Sequence, residues 1–361
     1  MKAALIGLLI IHGLIHLMGF IKAFNLAKID ALNSFISKPV GIIWLTVCLL
    51  FILTAVLYLT DYDRWWALAI VAIILSQILI ITVWKEAKFG SIANLLILIP
   101  AIVACATFYF IKMVANERAL MILQSQTSTI SDRKISDLPP VVQLWLTNSG
   151  VTNARIPNEV YVTQSLQMKL DESQEDWVAA EATQLFTPTA PAFNWQVKLK
   201  PNLFMPIVGR DEYFEGKGGM LIKLLGMYPI VDVADNKRIN EAALQRYLAE
   251  ICWFPQAALS EFISWKAIDS HSAEATIHHF GTIATGIFQF DDTGNFRAFK
   301  TMRYKGVEEG DEKVEWTVSA IEHQTINDIK VPTKLEAEWN LPTGKWKWLK
   351  LQVDSVSYTY E

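Results

Sequence analysis

Within the first 111 residues the charged side chains are spaced so that they leave four uncharged runs: Ala3–Ile21 (19 residues), Pro39–Thr60 (22), Trp65–Trp84 (20) and Phe89–Ile111 (23). About 20 apolar residues span the hydrocarbon core of a bilayer, so each run predicts a transmembrane helix. Tyr58, Tyr62, Trp65, Trp66, Trp84 and Tyr109 fall at or near the ends of these runs, where amphipathic rings suit the water interface. The first run reads as a span and not as a cleaved leader, because no small-x-small site comes after it and three more spans do.

Charge then separates this region from the rest of the chain. Residues 1–120 hold nine Lys/Arg and five Asp/Glu of the 32 and 36 in the whole chain, leaving 23 basic and 31 acidic residues for the remainder. The organisation expected is a four-span transmembrane domain over 1–115, a linker over 116–137 and a soluble domain over 138–361. The linker is read from the Ser/Thr/Gln-rich stretch Gln124–Ser131 and from Leu138-Pro139-Pro140, after which a short helix, Val141–Leu146, is closed by Gly150. The net charge of -4 and the lack of a basic block exclude nucleic acid as an expected partner. Loops after spans one and three carry Lys22, Lys28, Lys38, Lys85 and Lys88, against Lys2, Arg64, Lys112 and Arg118 on the other side. That small bias leads to the expectation that both termini, and so the soluble domain, lie outside the cytoplasm.

Polar residues inside spans are costly and need a physical reason. His12 and His16 share one helical face, and at about 1.5 Å rise per residue His16 and Asn94 lie roughly 9 Å from the Lys22/Lys88 side and Gln77 about 12 Å from it. One polar cluster of His12, His16, Gln77 and Asn94 is expected. It reads first as interhelical hydrogen bonding, with proton, quinone or metal chemistry as its other uses. Cys105 is too far along its helix to join a His/Cys metal site.

Beyond residue 150 the apolar pattern has period two. Val160, Val162, Leu166, Met168 and Leu170 alternate with polar residues, and the same holds at Trp195/Val197/Leu199, Val314/Trp316/Val318/Ala320 and Leu335/Ala337/Trp339/Leu341. From Trp346 to Tyr360 the phase changes twice, from Trp346/Trp348 to Leu349/Leu351/Val353 and on to Val356/Tyr358/Tyr360, which predicts bulges or bends, as in a strongly curved sheet. Turns are expected at Asp291–Gly294, Glu309–Asp311 and Pro342–Gly344. The fold class is therefore a four-helix transmembrane domain plus an α+β soluble domain, with a curved antiparallel sheet of about nine to eleven strands forming a half-barrel. One stretch has helical period: Leu244, Tyr247, Leu248 and Ile251, with Asn240 as expected N-cap and Pro255 ending the run. With a second helical piece at Gln256–Ile263, this makes a central insert over 239–263 whose apolar stripe needs the hollow of the sheet.

No P-loop, GxGxxG, GxSxG, HExxH or CxxC occurs, and Gly216-Lys217-Gly218-Gly219 reads as a hairpin turn. His278 and His279 are adjacent on a strand, point to opposite faces and cannot share a metal. No catalytic residue, cofactor or metal is assigned. Arg246 and Glu250 are i, i+4 partners beside the apolar stripe, and a helix buried in the sheet makes them a pair that needs help from Asp211, Arg210 or Arg303. Trp195, Trp253, Phe254 and Trp265 supply apolar surface for a cavity wall.

The run Arg210-Asp211-Glu212-Tyr213, then Gly216 and Gly218, Leu224-Leu225-Gly226, Arg246-Tyr247-Leu248-Ala249-Glu250 with Trp253-Phe254-Pro255, Phe290-Asp291 with Gly294, and Arg303-Tyr304 resembles a bacterial family of unknown function over roughly 135–361. The order strands, helices, strands is also similar to the lipoprotein-localisation carriers, whose half-barrel with a helical lid shelters acyl chains. The expectation is a membrane-tethered domain that binds a lipid or other lipophilic molecule, with Arg246, Glu250, Asp211 and Arg303 at the polar end of the site. The other readings are a structural or sensory envelope module that binds a protein partner, and an enzyme using Glu250 or Asp211 as acid/base.

Overall fold

Helices α1 (Lys2–Ala23), α2 (Lys38–Leu59), α3 (Trp65–Thr82) and α5 (Gly90–Ser125), with the single turn α4 (Trp84–Ala87) before α5, match the four uncharged runs. The computed structural model describes residues 2–125, 133–151, 155–199, 205–306 and 310–360. The chain divides into two units, Met1–Lys112 with Leu225–Met227 and Met113–Leu224 with Tyr228–Glu361.

Four helices, α1, α2, α3 and α5, are long and apolar enough to cross a membrane, the make-up of a multi-pass membrane protein. They are apolar on all sides: Ile11, Leu53, Ile78 and Leu95 are exposed, whereas Leu9, Phe51, Ala72 and Ile97 are buried. Small residues bring α1 and α2 together. A Cβ on Gly19 would sit 2.2 Å from the Trp44 ring, and one on Gly41 2.3 Å from the Ala23 Cβ.

Of the expected linker over 116–137, the part up to Ser125 is helix, because α5 continues past its apolar run. The rest of the Ser/Thr/Gln stretch, from Gln126 on, lies outside the described residues. Helix α6 (Pro140–Asn148) begins on the second of the two prolines, with Pro139 as its N-cap, and Gly150 takes φ 81° behind it.

Among its described residues the second unit has one sheet of 13 strands: β1 (Glu159–Met168), β2 (Val178–Thr187), β3 (Ala192–Leu199), β4 (Ile207–Phe214), β5 (Lys217–Leu224), β6 (Tyr228–Ala234), β7 (Ile263–Ala267), β8 (Ser272–His279), β9 (Thr282–Phe290), β10 (Phe296–Tyr304), β11 (Lys313–Ile326), β12 (Ile329–Leu341) and β13 (Gly344–Thr359). The order is β6-β5-β4-β3-β2-β1-β13-β12-β11-β10-β9-β8-β7, so every neighbour is also a chain neighbour except β1 with β13. The count exceeds the nine to eleven expected because the edges β6 and β7 are mostly exposed and show no buried alternation to read.

Helix α7 (Lys237–Glu250) and two 3-10 turns, Ile251–Trp253 and Pro255–Leu259, join the edges β6 and β7. The second helical piece expected at Gln256–Ile263 is thus a 3-10 turn that stops before Ile263, which opens β7. Helix α7 packs on both β5 and β9. Those strands are nine steps apart in the sheet, about 43 Å if it were flat at about 4.8 Å per strand. A helix roughly 10 Å wide reaches both only if the sheet curls around it, so the sheet is a curved, unclosed half-barrel. Near the opening, the Tyr213 hydroxyl on β4 meets His279 Nδ1 on β8 at 3.0 Å.

The two phase changes of the last strand are bulges. Its register slips opposite Ala337/Glu338 and opposite Thr163/Gln164, at Trp348 and Asp354. Asp291 closes the β9–β10 turn by accepting from the Thr293 and Asn295 amides at 3.0 and 2.9 Å, and the third expected turn joins β12 to β13. Glu309, in the other expected turn, lies outside the described residues. The core between α7 and the sheet holds Phe186, Phe193, Tyr247, Trp253, Phe254, Phe288 and Phe299.

The N-cap of α7 is Asn236 and not Asn240. The Asn236 side chain accepts from the Arg238 and Ile239 amides, both at 3.0 Å, while Asn240 instead accepts from the Gly218 amide at 2.7 Å. An Asn236→Ala variant is expected to lower the stability of this unit by about 1 kcal/mol, read as a lower urea midpoint. An unchanged midpoint would mean that the cap contributes nothing to stability.

Candidate functional site

Between α7 and the concave face of the sheet lies a cavity of about 400 Å3. Its apolar wall includes Met168, Trp195, Met220, Ile222, Trp316, Trp339, Trp346, Trp348, Leu349 and Leu351. At roughly 30 Å3 per water it has room for about a dozen, but so apolar a wall offers them few hydrogen bonds. Its size falls within the roughly 300–1,000 Å3 of small-molecule pockets.

One flank of the cavity is a charge network. Arg246 Nη1 donates to Asp211 Oδ2 at 2.6 Å, and its Nε donates to Glu250 Oε1 at 2.9 Å. The Gln184 amide donates to the second Glu250 oxygen at 2.7 Å, and the Trp195 indole donates to Gln164 at 2.9 Å. The Arg246 guanidinium also lies over the Trp195 and Phe193 rings, at 4.7 and 5.1 Å. Burial works against the Arg246 charge, but Glu250 and Asp211 more than offset it and raise its pKa. Burial pushes Glu250 up, against the pull of Arg246 and Gln184.

Arg303 borders the same cavity in a different way. Its guanidinium lies over Trp316 and Trp339 at 4.7 and 5.8 Å, and its Nε donates to the Ala242 carbonyl at 3.2 Å. Among the described residues it makes no ion pair, and its two terminal nitrogens have no hydrogen-bond partner. Burial pulls its pKa down to about 10, so it stays cationic at neutral pH.

The structure thus brings Arg246, Glu250, Asp211, Arg303, Trp195 and Trp253 to one cavity. Phe254 and Trp265 do not line it. Phe254 is fully buried against Phe186 and Tyr247, and Trp265 packs on Trp145 and Phe288 with its indole on the Ala258 carbonyl. Sequence reasoning missed Gln164 and Gln184. Their signal was a polar residue in the buried phase of a strand: Gln164 interrupts Val160, Val162, Leu166 and Met168, and Gln184 sits between Ala182 and Phe186.

Arg210, the other partner considered for Arg246, points to the opposite face, where it pairs with Glu212 at 2.7 Å and Glu117 at 3.4 Å. Arg118 beside them donates to Asn194 Oδ1 at 3.0 Å and to the Thr183 carbonyl at 2.8 Å. Burial raises the Glu212 pKa from 4.5 to about 7, with Glu117 adding to the rise and Arg210 opposing it. The folded chain therefore binds the proton more tightly than the unfolded one. This stabilisation is complete below the unfolded value of 4.5 and is lost as pH rises through 7. Wild type is expected to gain thermal stability relative to Glu212→Gln as pH falls from 8 to 5, and parallel melting curves for the two would contradict it.

In the first unit His12 Nε2 lies 2.9 Å from Asn94 Oδ1 and 3.3 Å from Ser76 Oγ. Asn94 donates to Gln77 at 3.1 Å, and Gln77 donates to Ser91 at 3.0 Å. His16 Nδ1 donates to the His12 carbonyl at 2.9 Å, and its Nε2 is buried without a partner among the described residues. All four residues expected in a polar cluster meet, joined by Ser76 and Ser91. No group of three metal-ligating side chains occurs among the described residues.

A search of curated proteins finds no match to the chain. Among solved structures, it is similar to a LolA superfamily protein from Nitrosomonas europaea, at 10% identity over 61% of this chain and 94% of that one, with a TM-score of 0.31. It is also similar to a β-barrel-like protein of the domain of unknown function DUF1849 from Brucella abortus, at 8% identity over 57% of this chain and 100% of that one, with a TM-score of 0.25. The model of a family of unknown function, DUF6920, matches residues 136–358, and the chain belongs to that family.

Proposed function

We propose that the β unit binds a lipid or other lipophilic molecule in the hollow between α7 and the concave sheet. The membrane unit then tethers it to a bacterial inner membrane, with the β unit outside the cytoplasm. The observation that carries this reading is the cavity of about 400 Å3, walled by tryptophan, leucine and methionine with a charge network at one flank. A few placed polar groups in an apolar hollow fix the orientation of a ligand whose greater part is hydrocarbon. Arg246, Glu250, Asp211 and Arg303 would form the polar end, with Trp195 and Trp253 in the apolar wall. Because Arg246 holds both Asp211 and Glu250, a charge pair that anchors α7 is better supported than an acid/base role for either carboxylate.

Native mass spectrometry of the full chain released from a maltoside detergent tests this. A bound lipophile is expected as an added mass, either as purified or after incubation with excess lipid. The bare polypeptide mass under both conditions would reject the reading.

A further inference from the structure

We propose that the cavity selects an anionic amphiphile, whose carboxylate or phosphate meets Arg303 and whose chain lies along Trp346, Trp348, Leu349 and Leu351. This rests on the proposed binding of a lipophile and names the ligand class. Six basic residues line the cavity, Arg210 among them with its side chain turned to the opposite face, against the acidic Asp211, Glu250 and Glu336. Three of these charges are matched by side chains that do not border it: Arg210 by Glu212, Lys305 by Glu172 and Glu336 by Lys347. What remains is Arg238, Arg246 and Arg303 against Asp211 and Glu250, an excess of one positive charge, since the Lys169 ammonium lies over Trp177, outside the lining.

That excess is not on Arg246, which both carboxylates hold. Arg303 has its plane fixed by Trp316 and Trp339 and its Nε fixed on the Ala242 carbonyl, so its two terminal nitrogens are left as an oriented fork. Such a fork matches a carboxylate or phosphate. Arg238 lies one turn before Ala242 on the same face of α7 and stacks at 5.1 Å on Tyr304, the residue after Arg303. One of its Nη atoms is buried and has no hydrogen-bond partner among the described residues. A neutral head group seated there would cover these donors without offering them a charged acceptor, at a cost in affinity. A small free anion would meet them but leave the tryptophan and leucine surface uncovered. A single molecule with an anionic head and a hydrocarbon chain satisfies both ends.

The test uses the full chain in a neutral maltoside detergent, with tryptophan fluorescence as the readout. The probes are oleate, lysophosphatidic acid, monoolein, lysophosphatidylcholine and inorganic phosphate. The two anionic amphiphiles are expected to bind at least about tenfold tighter than monoolein, roughly 1.4 kcal/mol. Arg303→Gln should abolish that preference and leave monoolein within about twofold of its wild-type affinity, whereas Arg303→Lys should keep part of it. Equal affinity for oleate and monoolein would overturn this inference and leave the proposed lipophile binding standing. Failure of every chain-bearing probe to bind would overturn both. Inorganic phosphate competing as well as lysophosphatidic acid would replace the amphiphile with a free anion. If Arg303→Gln does not fold, the ranking of probes on the wild-type chain decides alone.

Discussion

An Arg246→Met variant is expected to lose about 3–5 kcal/mol of stability in the β unit, because it strands two buried carboxylates. The Arg246, Asp211 and Glu250 side chains are only 15%, 5% and 12% exposed, so little solvent replaces the lost cation. Methionine retains much of the packing against Trp195 and Phe193, which makes the loss mainly electrostatic. Adding Asp211→Asn and Glu250→Gln to the same variant removes the stranded charges and is expected to restore more than half of the loss. Urea unfolding of the full chain in detergent, followed by tryptophan fluorescence, reads both effects. A midpoint for Arg246→Met within experimental error of wild type would mean that the two carboxylates do not depend on this arginine.

Gly218→Val is expected to displace α7 and cost about 3 kcal/mol, at the upper end of overpacking effects. A Cβ at this position would stand 2.5 Å from the Ile239 carbonyl oxygen and 2.9 Å from the Ala243 Cβ. A backbone carbonyl cannot swing aside as a side chain can, so the helix itself must move. The movement would strain the 2.7 Å bond from the Gly218 amide to Asn240 and pull the Ala242 carbonyl away from Arg303. Gly281→Ala is the control. Its Cβ would meet nothing within 4 Å, so only the strain of its φ of 76° remains, about 1–2 kcal/mol. Equal losses for the two variants would show that contact with α7 is not what Gly218 provides.

Much of this architecture was legible in the sequence because burial on one face of a strand leaves an alternating trace. The wide half-barrel with a helical insert could be read from β1, β11, β12 and β13, and even the two bulges in β13 showed as slips of phase. The edge strands β6 and β7 left no such trace, since the mostly exposed runs Tyr228–Ala234 and Ile263–Ala267 gain little from sorting their side chains. Gly218-Gly219 read as a turn because glycine density marks turns. Here Glu215 and Gly216 make the turn, with φ of 49° and 80°, and Gly218 admits the helix. At the site, Arg246, Glu250 and Asp211 could be grouped in advance because a buried ion must find partners, whereas Arg303, expected as a further partner, rests on Trp316 and Trp339 and pairs with neither carboxylate. Aromatic identity carries no such rule. Phe254 and Trp265 are as apolar as Trp348, and only the path of the chain decides which ring faces the hollow.

All the strand pairings but one are hairpins between consecutive segments, and the exception joins β1 to β13 at the middle of the sheet. The outward edge of β1 must therefore wait, during synthesis, for the 175 residues between Met168 and Gly344 to be made. At about 5–20 residues per second that wait is roughly 10–35 s. For that time the nascent chain carries an unprotected strand edge, open to pairing with another copy. Slowing translation just before β13 would lengthen the exposure, and the yield of folded protein would fall even though the finished molecule is unchanged.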